Sequence, residues 1–127
     1  MGLREYMARM DGPEPMTALE CMDPDLHFLI ALPSGEVTGT SRSDFEAYIA
    51  GRQPVDRVHH VLRYQVDADT ELLYGYVTDA GQLMGTFLSA AVLTSTGAIR
   101  RYQTFFHTGF QLLEIPVGSA WTMNSTQ

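Results

Sequence analysis

Two stretches near the start of the chain show apolar residues at helical spacing. In the first, the apolar residues are Leu3, Tyr6, Met7 and Met10. They predict a short amphipathic helix that Asp11–Gly12–Pro13 ends. Pro15 suits the first turn of a second helix, which we expect to end at Asp23–Pro24 because the residue before a proline avoids helical geometry.

A third helix is predicted further along the chain. Ser43 and Glu46 have the spacing of a capping box, in which each side chain bonds a backbone N–H at the start of a helix. Apolar residues follow at helical spacing, and Gly51 is suited to ending the helix. These apolar residues are Phe45, Tyr48 and Ile49.

The remaining pattern is typical of β-strands. Residues 26–32 form an apolar run that stops at the turn Pro33–Ser34–Gly35, and residues 37–38 predict a short return strand. Alternation then predicts strands over 58–66, 71–78, 85–94 and 98–110, joined by short turns. Consecutive strands with short connections most simply form an antiparallel meander.

Both faces of the predicted sheet carry apolar residues, so both should be covered. We expect the helices to cover one face and a second copy of the chain to cover the other, which predicts a homodimer. The chain after Phe110 is also too apolar for an unpacked end, and we expect it to pack on the second face. Its apolar residues are Leu112, Leu113, Ile115, Val117 and Trp121.

Length and charge limit the classes of function. A chain of 127 residues predicts one domain over 1–127, with a core over about 3–110 and a tail over 111–127. It has no apolar run of membrane-spanning length and no signal-peptide pattern, so we expect a cytoplasmic protein without a membrane partner. A net charge of −7 would repel phosphate backbones, which argues against binding nucleic acid.

No cofactor or metal is predicted. The glycines lack the spacing of phosphate-binding loops and dinucleotide fingerprints. The four histidines form no His-x-His or Glu-x-x-His unit, and adjacent residues on a strand point to opposite faces. Cys21, the single cysteine, is expected to be a small buried apolar residue.

The order of these elements, with several short motifs, resembles the nuclear transport factor 2-like superfamily over roughly residues 3–110. The similar segments are residues 5–12, Gly39 with Ser43–Asp44–Phe45, residues 66–69, and Gly97–Ala98–Ile99. The resemblance includes the SnoaL-like polyketide cyclase and steroid isomerase-like branches. It implies an α+β fold of cystatin-like type, a cone-shaped barrel whose curved antiparallel sheet wraps around three N-terminal helices and leaves an apolar pocket at the open end.

The resemblance also implies where catalytic groups would lie. Steroid isomerase-like members use a helix-borne Tyr with two acidic residues, a logic known for that enzyme. Tyr6 matches the Tyr position, but residues 26–32 and 85–94, where the acids would lie, contain no carboxylate. This disfavours that mechanism. Dehydratase-like relatives pair His with Tyr, and both residue types are available here.

We therefore expect His60, His107 and Tyr6 as catalytic candidates. Histidine exchanges a proton near neutral pH, and a tyrosine hydroxyl can donate to a developing enolate. His60 shares strand parity with Leu62 and Tyr64, which predicts that it faces the pocket and that His59 faces outward. The expected pocket-lining residues are His27, Tyr48, Tyr76, Gln103 and Phe105.

Two functions remain open. One is an enzyme, a metal-free isomerase, cyclase or lyase that acts on a small hydrophobic carbonyl compound by His/Tyr acid–base catalysis. The other is a non-catalytic module for ligand binding or dimerisation, which the missing carboxylates favour.

Overall fold

The computed structural model describes residues 2–52 and 56–116. Within these ranges the chain forms two α-helices, one 3-10 helix and six strands. In chain order they are α1 (Leu3–Met10), the 3-10 helix (Pro15–Cys21), β1 (Met22–Leu32), β2 (Gly35–Gly39), α2 (Arg42–Ala50), β3 (Arg57–Asp67), β4 (Thr70–Asp79), β5 (Gln82–Leu93) and β6 (Ile99–His107). No described helix is long and apolar enough to cross a membrane.

The strands form one curved sheet in the order β2-β1-β6-β5-β4-β3, which confirms the predicted α+β class. Neighbouring strands are antiparallel except β1 and β6, which run parallel. The sheet is therefore mixed, whereas the sequence predicted an antiparallel one. Short turns fix the direction of consecutive strands, but no turn joins β1 to β6.

One face of the sheet, here called the inner face, packs against the helices. Phe45 of α2 is fully buried and contacts Tyr6, Phe28 and Tyr102 edge to face, with ring centroids 4.9–6.4 Å apart. Residues of all three helices share a single apolar core with the inner face. The strand residues of this core are Met22, Leu26, Phe28, Ile30, Leu73, Val77, Phe87, Ala91, Ile99 and Tyr102.

The ends of the second and third helices differ from the prediction. The second helix is a 3-10 helix that stops at Cys21, and β1 already begins at Met22. Pro24 is tolerated there because the β1–β6 pairing is irregular between Met22 and His27. Ser41, and not Ser43, caps α2: its Oγ accepts a hydrogen bond from the Asp44 N–H at 3.1 Å.

A buried carboxylate fixes α1 against the sheet. Oε1 of Glu71, on β4, accepts the backbone N–H of Leu3 at 2.7 Å, in the place where a capping side chain would stand. The Tyr64 hydroxyl donates to the same carboxylate, and the Arg4 guanidinium lies 4.2 Å from the centre of the Tyr64 ring. A negative charge at the N-terminus of a helix also interacts favourably with the helix dipole.

The chain after β6 packs on the other, outer face, as predicted for the described part of the tail. Thr86 Oγ1 donates to the Phe110 carbonyl at 2.9 Å, and the Leu112 N–H donates to the Tyr74 hydroxyl at 2.7 Å. Ile115 is buried against Tyr76 and Leu83. The predicted packing of residues 117 and 121 concerns positions outside the described residues.

Candidate functional site

A local irregularity in β3 decides which histidine faces the helices. His59 pairs with Val77, a residue of the inner core, whereas His60 pairs with Tyr76 of the outer face. The register shifts between Val61 and Arg63, so the alternation reverses along the strand. His59 therefore faces inward and His60 outward, the opposite of the predicted orientation.

His59 forms a two-point contact with Asp11, the residue that follows α1. Asp11 Oδ2 accepts the backbone N–H of His59 at 2.6 Å, and Oδ1 lies 2.8 Å from His59 Nδ1. The His59 side chain is 20% exposed and that of Asp11 is 12% exposed. Because the carboxylate accepts the Nδ1 proton, Nε2 of a neutral His59 carries a free lone pair. Nε2 has no hydrogen-bond partner within residues 2–52 and 56–116.

The lack of a side chain at Gly75 lets the Phe87 ring pack against the strand beside His59. A Cβ on Gly75 would collide with the His60 carbonyl oxygen and would lie 2.9 Å from the Phe87 ring. Phe87 can therefore pack over this bare backbone and meet the His59 ring edge to face, with centroids 5.1 Å apart. One side of the imidazole is thus covered by an apolar ring, while the other side is held by Asp11.

Two buried phenols lie deeper in the inner face. The rings of Tyr6 and Tyr102 pack edge to face with centroids 5.3 Å apart, and Tyr48 packs against the same core. Ser89 and Thr104 bond each other at 2.6 Å between hydroxyl oxygens. The interior is therefore apolar in its walls but contains a group of hydroxyls.

Both buried phenols stay protonated at neutral pH. Burial raises the pKa of Tyr6 well above its ordinary value, and interactions with Tyr102 and Tyr48 act in the same direction. Burial likewise raises the pKa of Tyr102 to about 12, although the hydroxyls of Thr104, Tyr6 and Ser89 partly oppose this. Each phenol can therefore donate a hydrogen bond but will not act as a base.

Four residues mark the edge of the inner face where α1 and α2 both end. Asp11 holds His59 there, and Arg52 donates to the sulfur of Met10 and lies over the Tyr48 ring. We call Asp11, Tyr48, Arg52 and His59 the helix-end cluster. Its side chains are accessible in part, in contrast to the enclosed core around Phe45.

The structure separates the predicted site residues between the two faces. Tyr6 and Tyr48 belong to the inner face. His60 and Tyr76 lie on the outer face, where their rings stack 4.4 Å apart and His60 Nε2 lies 2.9 Å from the Thr78 hydroxyl. The other predicted residues on the outer face are exposed; they are His27, Gln103, Phe105 and His107.

An open groove of about 530 Å³ lies partly along this outer face. His27 and Arg101 pair across β1 and β6 in its wall, and Gln103 lies next to them. Two residues predicted to line a pocket, His27 and Gln103, therefore border a groove that Phe28 and Tyr102 of the inner core also border. Within the described residues, no group of three or more His, Cys, Asp or Glu side chains is placed to hold a metal ion.

Solved structures share this architecture. A candidate ketosteroid isomerase from Kribbella flavida superposes with a TM-score of 0.65 at 16% identity, covering 91% of this chain and 87% of that chain. A candidate isomerase of the SnoaL-like family from Agrobacterium tumefaciens gives 0.67 at 13% identity, covering 82% and 92%. The chain has the nuclear transport factor 2-like fold.

A third structure with this fold, a candidate SnoaL-like polyketide cyclase from Jannaschia, gives a TM-score of 0.61 at 14% identity, covering 81% of this chain and 83% of that chain. No protein-family model matches the sequence. No curated protein matches it either. The likeness is therefore one of fold alone, and a fold does not by itself determine a reaction.

Of the residues predicted from the sequence, Tyr6 and Tyr48 lie at the inner face, whereas Asp11, Arg52 and His59 are candidates that only the structure suggests. In the sequence Asp11 has only the signal of a helix end, and strand alternation predicts the opposite face for His59. Adjacent residues on a strand point to opposite faces, so the pair His59–His60 is the sequence signal that one imidazole faces inward.

Proposed function

We propose that the protein is an acid–base enzyme of the isomerase, cyclase or lyase kind, acting on a small, largely apolar carbonyl compound. The observation that supports this most is the contact between His59 and Asp11. It orients an imidazole at the accessible edge of an apolar interior with Nε2 free to accept a proton. The similar structures named as isomerases and as a polyketide cyclase support the same class of reaction.

In this mechanism His59 Nε2 removes a proton from the carbon next to a carbonyl group. Asp11 stabilises the imidazolium that forms and keeps the ring oriented. A phenol donates a hydrogen bond to the enolate oxygen, and the candidate is Tyr48, the partly accessible tyrosine of the helix-end cluster. The proton then returns from His59 to a different carbon, or the enolate expels a leaving group or attacks a second carbonyl. No oxidant or reductant is consumed.

This proposal replaces His60 and His107 as the candidate bases. Both lie on the outer face, and the His60 Nε2 atom is engaged with the Thr78 hydroxyl. It also replaces Tyr6, because that side chain is 5% exposed and packs against Phe45 in the enclosed core.

The test is deuterium incorporation next to the carbonyl group of bicyclic ketones such as 1-tetralone, followed by NMR in D₂O. It measures base catalysis without knowledge of the natural substrate. We expect exchange above the buffer rate, and His59→Gln should lower the enzymatic rate by about 100-fold or more. Asp11→Asn, which cannot accept both bonds from His59, should lower it by about 10- to 100-fold.

His60→Gln is the matched control, because it makes the same chemical change one residue away on the opposite face. It should leave the exchange rate within a factor of about two of wild type. Wild-type exchange at the buffer rate, or full activity in His59→Gln, would show that this histidine is not a catalytic base.

The uncovered part of the outer face supports a second proposal, association with another copy of the chain. Leu88 and Phe105 lie opposite each other at the centre of the sheet and are 52% and 46% exposed. Polar groups flank them, including Gln103 and His107, so the patch has the apolar centre and polar rim of a protein interface. A self-complementary patch of this kind suits a symmetric homodimer.

A further inference from the structure

Arg52 lies two residues after the end of α2, and its side chain reaches Met10, the last residue of α1. Its backbone N–H donates to the Ile49 carbonyl at 3.1 Å, which fixes its position relative to the helix. Its Nη1 atom donates to the Met10 sulfur at 3.6 Å, and its guanidinium carbon lies 6.0 Å from the centre of the Tyr48 ring. Since Met10 immediately precedes Asp11, the guanidinium and His59 lie at the same end of α1.

The charge of Arg52 is poorly compensated. Arg52 forms no ion pair within residues 2–52 and 56–116, whereas Arg9 pairs with both Glu5 and Glu20. A thioether sulfur is a weak acceptor, and a distance of 6.0 Å is the outer limit of a cation–π contact. A half-buried guanidinium with five donors normally has a carboxylate or another anion beside it.

The C-terminus of α2 also attracts a cation, but this does not account for the direction of the side chain. A helix end contributes about 0.3–1 kcal/mol to such a charge and acts within the last turn. The Arg52 guanidinium instead reaches across to Met10 of α1. The charge of Arg52 also acts on the interior. Burial raises the pKa of Tyr6, and the positive charge of Arg52 opposes this in part by lowering the same pKa.

We propose that Arg52 is a specificity-determining residue that binds a carboxylate of the substrate. The apolar body of the substrate then extends toward Phe87, and its reactive carbon lies near His59. The inference rests on the proposed function in placing the substrate at His59. The role of Arg52 narrows the substrate class from small, largely apolar carbonyl compounds in general to small aromatic or alicyclic keto acids.

The experiment compares two probes that differ only in charge, 2-naphthoate and 2-naphthamide, by calorimetry or NMR titration. Wild type should bind 2-naphthoate at least about 10-fold more tightly than 2-naphthamide. Arg52→Gln should abolish this preference by weakening 2-naphthoate binding alone. Arg52→Lys should retain part of it, because an ammonium keeps the charge but not the planar pair of donors. Arg100→Gln, at an exposed arginine of β6, is the control that should leave the preference unchanged.

Equal affinities of wild type for the two probes would overturn the inference, as would binding of neither at millimolar concentration or an unchanged preference in Arg52→Gln. The result is separable from the catalytic proposal. His59→Gln should lose ketone exchange and keep the preference for 2-naphthoate. A His59-dependent exchange without any preference for the anion would leave the base in place and remove only the role of Arg52.

Discussion

The two neighbouring histidines show how one strand irregularity reverses a functional assignment. Alternation from Leu62 and Tyr64 predicts that His60 faces inward, and Tyr64 does face inward, where it bonds Glu71. The register shift near Leu62 separates these positions, so the parity of Tyr64 does not apply to His60. The shift arises from pairing with β4, about which the sequence of β3 alone carries no signal.

The partial burial of His60 on the outer face predicts that the free energy of unfolding depends on pH. Burial lowers the pKa of His60, and the charge of His59 acts in the same direction, whereas Asp11 opposes it. In the unfolded chain the pKa is near 6.5. Between the lower folded value and about 6.5 the unfolded chain binds more protons, so His60 contributes a loss of stability as the pH falls through this range.

Denaturant unfolding of wild type and His60→Gln at pH 7.5 and at pH 5 measures this effect, since other groups cancel in the comparison. We expect wild type to lose more free energy of unfolding than His60→Gln between the two pH values. An equal loss in both proteins would mean that His60 is not held in its neutral form by the fold.

At the scale of elements, local apolar patterns predict the bounds of helices and strands well, but they do not predict which strands pair. Helix α1 and the strands around β4 were predicted close to their observed bounds, because their apolar spacing is set by the inner core. The cap of α2 was predicted two residues late, at Ser43, since both Ser41 and Ser43 have cap chemistry. The parallel contact of β1 with β6 depends on residues more than 70 positions apart in the chain, which a local pattern does not encode.

The strands β5 and β6 provide the test of the proposed homodimer. A charge at Phe105, in the centre of the outer face, should weaken association by well over 10-fold, because it would have to be buried without a partner. Sedimentation should therefore give a dimer for wild type and a monomer for Phe105→Glu. Val66→Glu, at an exposed apolar residue near the end of β3, should remain dimeric. A monomeric wild type at tens of micromolar would contradict the proposal.

For the whole molecule, the sequence predicts how the helices and the sheet pack better than it predicts which face of the sheet carries the candidate site. The order of short helices, strands and a long meander suffices for the fold, because each element has one way to bury its apolar side. The position of the site depends instead on where α1 and α2 end relative to β3. That arrangement places Asp11 on His59 and Arg52 on Met10, and so joins the end of α1 to two other parts of the chain.

The central claim is that ligands of this protein bind at the inner face, next to the helix-end cluster, and not on the outer face. Titration of isotope-labelled protein with 1-tetralone, followed by backbone and imidazole NMR signals, tests it most directly. We predict that the largest shifts occur at His59, Asp11 and Phe87. Shifts concentrated at His27, Arg101 and Gln103, which line the groove on the outer face, or no shifts at all, would contradict this claim.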